Sequence, residues 1–145
     1  IQSVILTSQL NRMDEFDRVR KKHYRRFYNY FKNINLGIKT WNIDDEVSPF
    51  SFPMLLPEGV KFQRKHLMDH LRRHRIECRF LFGGNLLKHP AYKNKKHLWD
   101  SYGKHTNSDA ILDRFIMVGV SQVNTDKDID RVLTSLDDFF KRWQK

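Results

Sequence analysis

Arg18-Val19-Arg20-Lys21-Lys22-His23-Tyr24-Arg25-Arg26-Phe27-Tyr28-Asn29-Tyr30-Phe31 is the centre of a run whose reading decides the architecture. Apolar residues recur outward from it at Leu6, Leu10, Met13, Phe16, Val19, Tyr24, Phe27 and Phe31, steps close to the 3.6-residue period of a helix. Neither Gly nor Pro interrupts Ile1 to Asn35, and Gly37 supplies the stop. The pattern predicts one helix over residues 1–35, and about 32 helical residues extend roughly 48 Å. A single small domain does not enclose such a length. The helix is expected to protrude, to pair, or to link the remaining residues, 36–145, to another domain.

After Gly37 the period changes. Phe50, Phe52 and Met54 alternate inside Val47–Leu56, a strand signal, and Pro49 and Pro53 restrict that strand to a sheet edge. Ile38–Trp41 and Ile76–Phe82 read as further short strands, and Phe115–Val120 as an apolar one. Phe62–His74 carries one apolar helical face, and Ser108 is placed to cap a short helix ending at Arg114. The last helix is the most regular. Thr125 and Asp128 form a capping-box-like start. Ile129, Val132, Leu133, Leu136, Phe139, Phe140 and Trp143 then make a complete amphipathic stripe. Helices and strands mix without βαβ alternation, which predicts an α+β fold: a small antiparallel or mixed sheet with helices on one face.

The chain has 145 residues, 27 Lys+Arg against 17 Asp+Glu, and a formal charge of +10. That surplus favours anionic partners. It is spread along the chain, however, and the aromatics interleaved with the basic block lie on the stripe that folding must bury. Nucleic-acid binding through base stacking is therefore disfavoured, and a non-catalytic basic binding module stands as the second reading. No run approaches the ~18 apolar residues of a membrane span. The single cysteine, Cys78, excludes an internal disulfide and reads as a buried structural thiol in a cytoplasmic protein. His66, His70 and His74 fall at helical spacing. Without an intervening Glu, and beside Arg72, Arg73 and Arg75, they read as a solvated face and not a metal site. Gly83-Gly84 after a strand supplies a sharp turn or a place where backbone amides approach a ligand.

Several phrases together resemble the small domain of the DegT/DnrJ/StrS family, fold-type-I pyridoxal-phosphate enzymes acting on nucleotide-linked keto-sugars. They are Gln2–Leu10 with the arginine-rich run after it, Ser48-Pro49-Phe50-Ser51-Phe52-Pro53, Arg75-Ile76-Glu77-Cys78-Arg79, Leu81–Tyr92 around Gly83-Gly84-Asn85, Thr106-Asn107-Ser108-Asp109, and the Thr125–Asp130 helix start. The Gly-Gly-Asn loop and the Thr-Asn-Ser-Asp segment look most like the sugar 3-dehydrase branch. The resemblance departs at Phe115–Val120, which lacks the usual Trp, and at Ser121-Gln122-Val123-Asn124.

The resemblance implies a large cofactor-binding domain upstream that carries the catalytic Lys or His. It implies pyridoxal or pyridoxamine 5'-phosphate as cofactor, a nucleotide-sugar substrate and a homodimer. It places Arg79, Gly83, Gly84 and Asn85 toward the substrate, Arg79 as an anion or hydroxyl anchor, with Asn107 and Ser51 beside them. Residues 1–145 alone are expected to be inactive.

Overall fold

A computed structural model describes residues 2–143. Among them six α-helices flank one three-stranded sheet. The N-terminal run forms two helices instead of the single helix predicted: α1 (Gln2–Leu10) and α2 (Met13–Asn33). The ladder lapses at Asn11 and Arg12, where Asn11 N–H returns to Thr7 and Arg12 N–H to Gln9. Packing explains the break. Nothing in α1 is buried, so core packing does not hold it in register with α2. Leu6, Leu10 and Met13, at the start of the predicted stripe, are exposed, whereas Tyr24, Phe27 and Phe31 are buried.

Strands β1 (Ser51–Leu55), β2 (Cys78–Arg79) and β3 (Phe115–Gly119) form an antiparallel sheet in the order β1-β3-β2. Ser51 pairs with Gly119 and Leu55 with Phe115, while Cys78 pairs with Val118 and Arg79 with Met117. The edge position of β1 is the one Pro53 demands. The expected strand at Ile38–Trp41 is reduced to a bridge between Lys39 and Leu55. The expected Ile76–Phe82 strand pairs only at Cys78–Arg79, because the chain turns away toward Gly83-Gly84.

Alternation assigns the two faces. Phe52, Met54, Cys78, Ile116 and Val118 are buried beneath α2, α3 (Arg64–Arg73) and α6 (Asp126–Trp143). Phe52 is the centre of this core: its ring lies 4.9, 5.3 and 5.5 Å from those of Tyr24, Phe27 and Phe31. The stripe of α6 packs as predicted. Its start is a reciprocal capping box: Thr125 N–H donates to Asp128 Oδ2 at 2.9 Å, and Asp128 N–H donates to Thr125 Oγ1 at 3.3 Å. Of the histidines read as a solvated face, His66 and His74 are exposed and only His70 is not. His70 is buried, with Nε2 2.8 Å from the Ser135 carbonyl oxygen; His66 stacks on Trp143; and His74 ends the helix. Among the described residues no cluster of potential metal ligands forms. Cys78 is buried, and burial pushes its thiol pKa up, which fits the structural role.

The second face of the sheet is partly covered by α5 (Thr106–Arg114), which contacts β1 and β3. This helix begins at Thr106, so Ser108 lies within it and is not its cap. Residues 85–98 contain 3₁₀ turns at Leu86–Lys88 and Lys96–Leu98 and the short α4 (Pro90–Lys93).

Candidate functional site

The open face of the sheet carries the odd-numbered residues of β1 and β3: Ser51, Pro53, Leu55, Phe115, Met117 and Gly119. Between this face, α5 and the 41–50 loop lies a cleft of about 700 Å³. Its lining is mainly apolar, with Trp41, Phe50, Ile111, Phe115 and Met117, and its polar groups include Ser51, Asn107 and Lys39. The Tyr24 hydroxyl donates to the Trp41 carbonyl at 2.7 Å, and burial pushes its pKa up. Lys39 Nζ lies 5.7 Å from the centre of the Trp41 ring.

Ser51 and Asn107, far apart in sequence, thus meet in one cleft. Arg79 lies elsewhere. It projects from β2, across β3 from Pro53 in the same register row, about 10 Å away at the usual strand spacing. There it lines a second groove of about 890 Å³ with Arg72, Arg75, Arg131, Phe80 and Phe82. Among the described residues its guanidinium reaches only Glu77, at 2.7 Å, and both side chains are about three-quarters exposed. Ser51 and Met117 touch both grooves, which makes them neighbours across the sheet edge. Phe82 is 89% exposed and held at φ +44°, a conformation uncommon for a bulky residue.

Gly84 and Asn85 are engaged within the chain. Gly84 sits at φ +59°, and a Cβ there would lie 2.7 Å from Leu112 Cα. A Cβ on Gly83 would lie 2.8 Å from Leu86 Cδ2, the end of a flexible side chain. Asn85 is buried: its Nδ2 donates to Asp109 Oδ1 at 2.7 Å and its Oδ1 accepts from Leu87 N–H at 3.0 Å. It lines neither groove.

The basic block on α2 is largely neutralised from within. Lys22 pairs with Asp126 at 2.6 Å, Arg26 with Asp126 and Asp130, and Arg25 with Asp45. Lys21 pairs with Asp17, and Arg20 donates to Gln122 at 2.7 Å. These partners leave little of the block for a polyanion. The cleft residues contributed by Trp41, Ile111, Phe115 and Met117 were not singled out from the sequence. The period-2 pattern marks the odd positions of β1 and β3 as sharing a face, but only the fold shows that this face is open.

Comparison with known proteins agrees with the geometry. The chain is 30% identical over 141 residues to dTDP-4-dehydro-2,6-dideoxy-D-glucose 3-dehydratase of Saccharopolyspora spinosa, covering 96% of this chain and 30% of that protein. It is 27% identical over 142 residues to the lipopolysaccharide biosynthesis protein RfbH of Salmonella typhimurium, covering 97% and 32% respectively. The crystal structure of E. coli GDP-4-keto-6-deoxy-D-mannose-3-dehydratase with bound hydrated PLP superposes with a TM-score of 0.74 at 25% identity, over 90% of this chain and 33% of that one. The chain therefore spans about a third of the length of these relatives. Residues 1–137 match the profile of the DegT/DnrJ/EryC1/StrS aminotransferase family, and the chain belongs to that family.

Proposed function

We propose that these residues are the small domain of a pyridoxal- or pyridoxamine-phosphate enzyme acting on a nucleotide-linked 4-keto-6-deoxysugar in deoxysugar or lipopolysaccharide biosynthesis. The 3-dehydratase reading is preferred to amination. The observation that carries it is similarity to two 3-dehydratases along almost the whole chain, one by sequence and one by structure.

The cleft does not fit the cofactor by itself. A pyridoxal ring needs a carboxylate for its nitrogen and donors for its phosphate. Among the described residues no carboxylate lines the cleft, and its single lysine, Lys39, lies beside Trp41. We place the cofactor, with its Lys or His, on a large domain in the two thirds of the relatives outside the match. When bound there the cofactor supplies the electron sink. This chain supplies a wall. The apolar face around Phe115 and Met117 excludes water, and Ser51 and Asn107 offer hydrogen bonds to sugar hydroxyls. Gly83 and Gly84 shape the adjoining turn. Arg79, in a groove with three further arginines and three exposed phenylalanines, suits an anionic nucleotide moiety.

We further assign the enzyme to the cytoplasm as a homodimer. Support comes from the buried free thiol, the absence among described residues of a helix able to cross a membrane, and the exposed apolar residues of α1.

The test is full-length protein incubated with pyridoxamine phosphate and, separately, GDP-, dTDP- and CDP-linked 4-keto-6-deoxyhexoses. Mass spectrometry is expected to show loss of the 3-hydroxyl. Gain of an amino group instead would establish the aminotransferase alternative, and no conversion of any nucleotide sugar would overturn the proposal. Residues 1–145 alone are expected to hold no cofactor chromophore.

A further inference from the structure

We propose that Asn85, Asp109 and Lys88 form a clasp that sets the position of α5, so that Asn85 serves the cleft as a positioning residue and does not touch substrate. The inference rests on the reading of the cleft given above.

Asn85 is a polar residue only 5% exposed, between the partly exposed Gly84 and the exposed Leu86. Both ends of its amide are used. The nitrogen donates to Asp109 and the oxygen caps the 3₁₀ turn at Leu87. Lys88, one turn along, brings its ammonium 2.7 Å from the same Asp109 oxygen. Lys88 and then Asn85 hold the Asp109 carboxyl below the usual carboxylate range. Immediately before Asn85, Gly84 touches the backbone of Leu112, one helical turn beyond Asp109. The 84–88 segment therefore grips α5 on the Asp109–Leu112 side, while Asn107, Ala110 and Ile111 line the cleft.

This grip matters because α5 has no fully buried residue. Core packing, which fixes α2, α3 and α6, does not fix α5. A charge-assisted hydrogen bond and an ion pair to one carboxylate, with a side-chain-free contact at Gly84, set its height over the sheet. Leu81, three residues before Gly84, also lines the cleft.

The pair is asymmetric, one amide and one carboxylate, so its two members can be exchanged. In the full-length enzyme, Asn85→Asp sets two carboxylates against each other. The KM for the nucleotide sugar is expected to rise about tenfold, the scale of one buried hydrogen bond lost, with kcat changed less. Amide hydrogen exchange over 86–88 and 106–109 should quicken. The exchanged pair, N85D with D109N, restores one donor and one carboxylate. It is expected to recover both KM and protection to within a factor of about three. Should N85D fail to fold, D109N alone, which keeps a hydrogen bond but loses the ion pair, raises KM with kcat held. An N85D defect that the exchanged pair leaves uncorrected, or a D109N enzyme with unchanged KM, overturns the clasp. Protection lost and recovered in these variants while even the wild type converts no nucleotide sugar sustains the clasp and overturns the functional reading instead.

Discussion

Gly84 lies so close to α5 that a Cβ on it would stand 2.7 Å from Leu112 Cα and 3.0 Å from Leu112 N. Backbone atoms of a helix do not yield as a flexible side chain does, and the residue also adopts φ +59°. Gly84→Ala is therefore expected to destabilise by about 2–4 kcal/mol, strain and overpacking together. Gly59 provides the control: its φ is +72° but nothing lies within 4 Å, so Gly59→Ala should cost about 1 kcal/mol, from strain alone. Denaturant unfolding of the two variants measures the difference.

Phe52 joins the sheet to α2 through three aromatic rings and is completely buried. Phe52→Ala leaves a cavity beneath the edge strand and is expected to cost about 3–5 kcal/mol. Phe50, two residues earlier, is exposed, and Phe50→Ala should change stability by less than about 1 kcal/mol.

His23 and His70 are both buried, and desolvation lowers their pKa values below the ordinary 6.5. In the unfolded chain they accept protons at about pH 6.5; in the folded domain they resist until lower pH. Their contribution to stability is thus complete above pH 6.5 and is lost as pH falls toward the folded-state values. Unfolding free energy should decline between pH 7.5 and 5.5. In a His70→Gln variant that decline should be shallower; an identical slope would remove His70 as the cause.

The capping box of α6 predicts a loss of about 1 kcal/mol for Thr125→Ala. The Thr125 backbone and hydroxyl donors hold the Asp128 carboxyl below its ordinary value. A depressed folded-state pKa stabilises above the unfolded value and is lost as pH falls through the folded one. The Thr125→Ala deficit should therefore be present at pH 7 and shrink as pH falls below the ordinary Asp value of about 3.9 toward the lower folded-state value of Asp128. Circular dichroism melts at both pH values test this.

Arg79 and Glu77 form an exposed pair, a kind that contributes little to folding. Arg79→Ala in the full-length enzyme is expected to leave stability within about 0.5 kcal/mol of wild type. The KM for the nucleotide sugar should rise about tenfold, as one charge-assisted contact is lost. An unchanged KM would remove Arg79 from the substrate's surroundings.

Elements with strong periodicity were legible before folding was considered: the stripe of α6, the edge strand kept by Pro53, the apolar β3 and the buried aromatics of α2. The unbroken N-terminal helix was not. Its apolar period runs through Asn11, but burial ends near Phe16, and a period without a core to face does not hold a helix together. His70 was misread for the converse reason: a polar residue at helical spacing carries no mark of the Ser135 carbonyl that α6 brings to it. Ser51 and Asn107 were named from separate segments, but their meeting in one cleft was not readable from either.

Local sequence determined which segments are helical, which strand lies at the sheet edge, and which face of each turns inward, because propensity, capping and hydrophobic period act within a few residues. Only the tertiary structure decided that Asn85 grips Asp109 while Asn107, two residues away, opens onto the cleft, and that Arg79 lies across β3 from β1, in the groove beside that cleft. Those relations join residues far apart in the chain, and close packing of α5 over an antiparallel sheet is what brings them together or holds them apart.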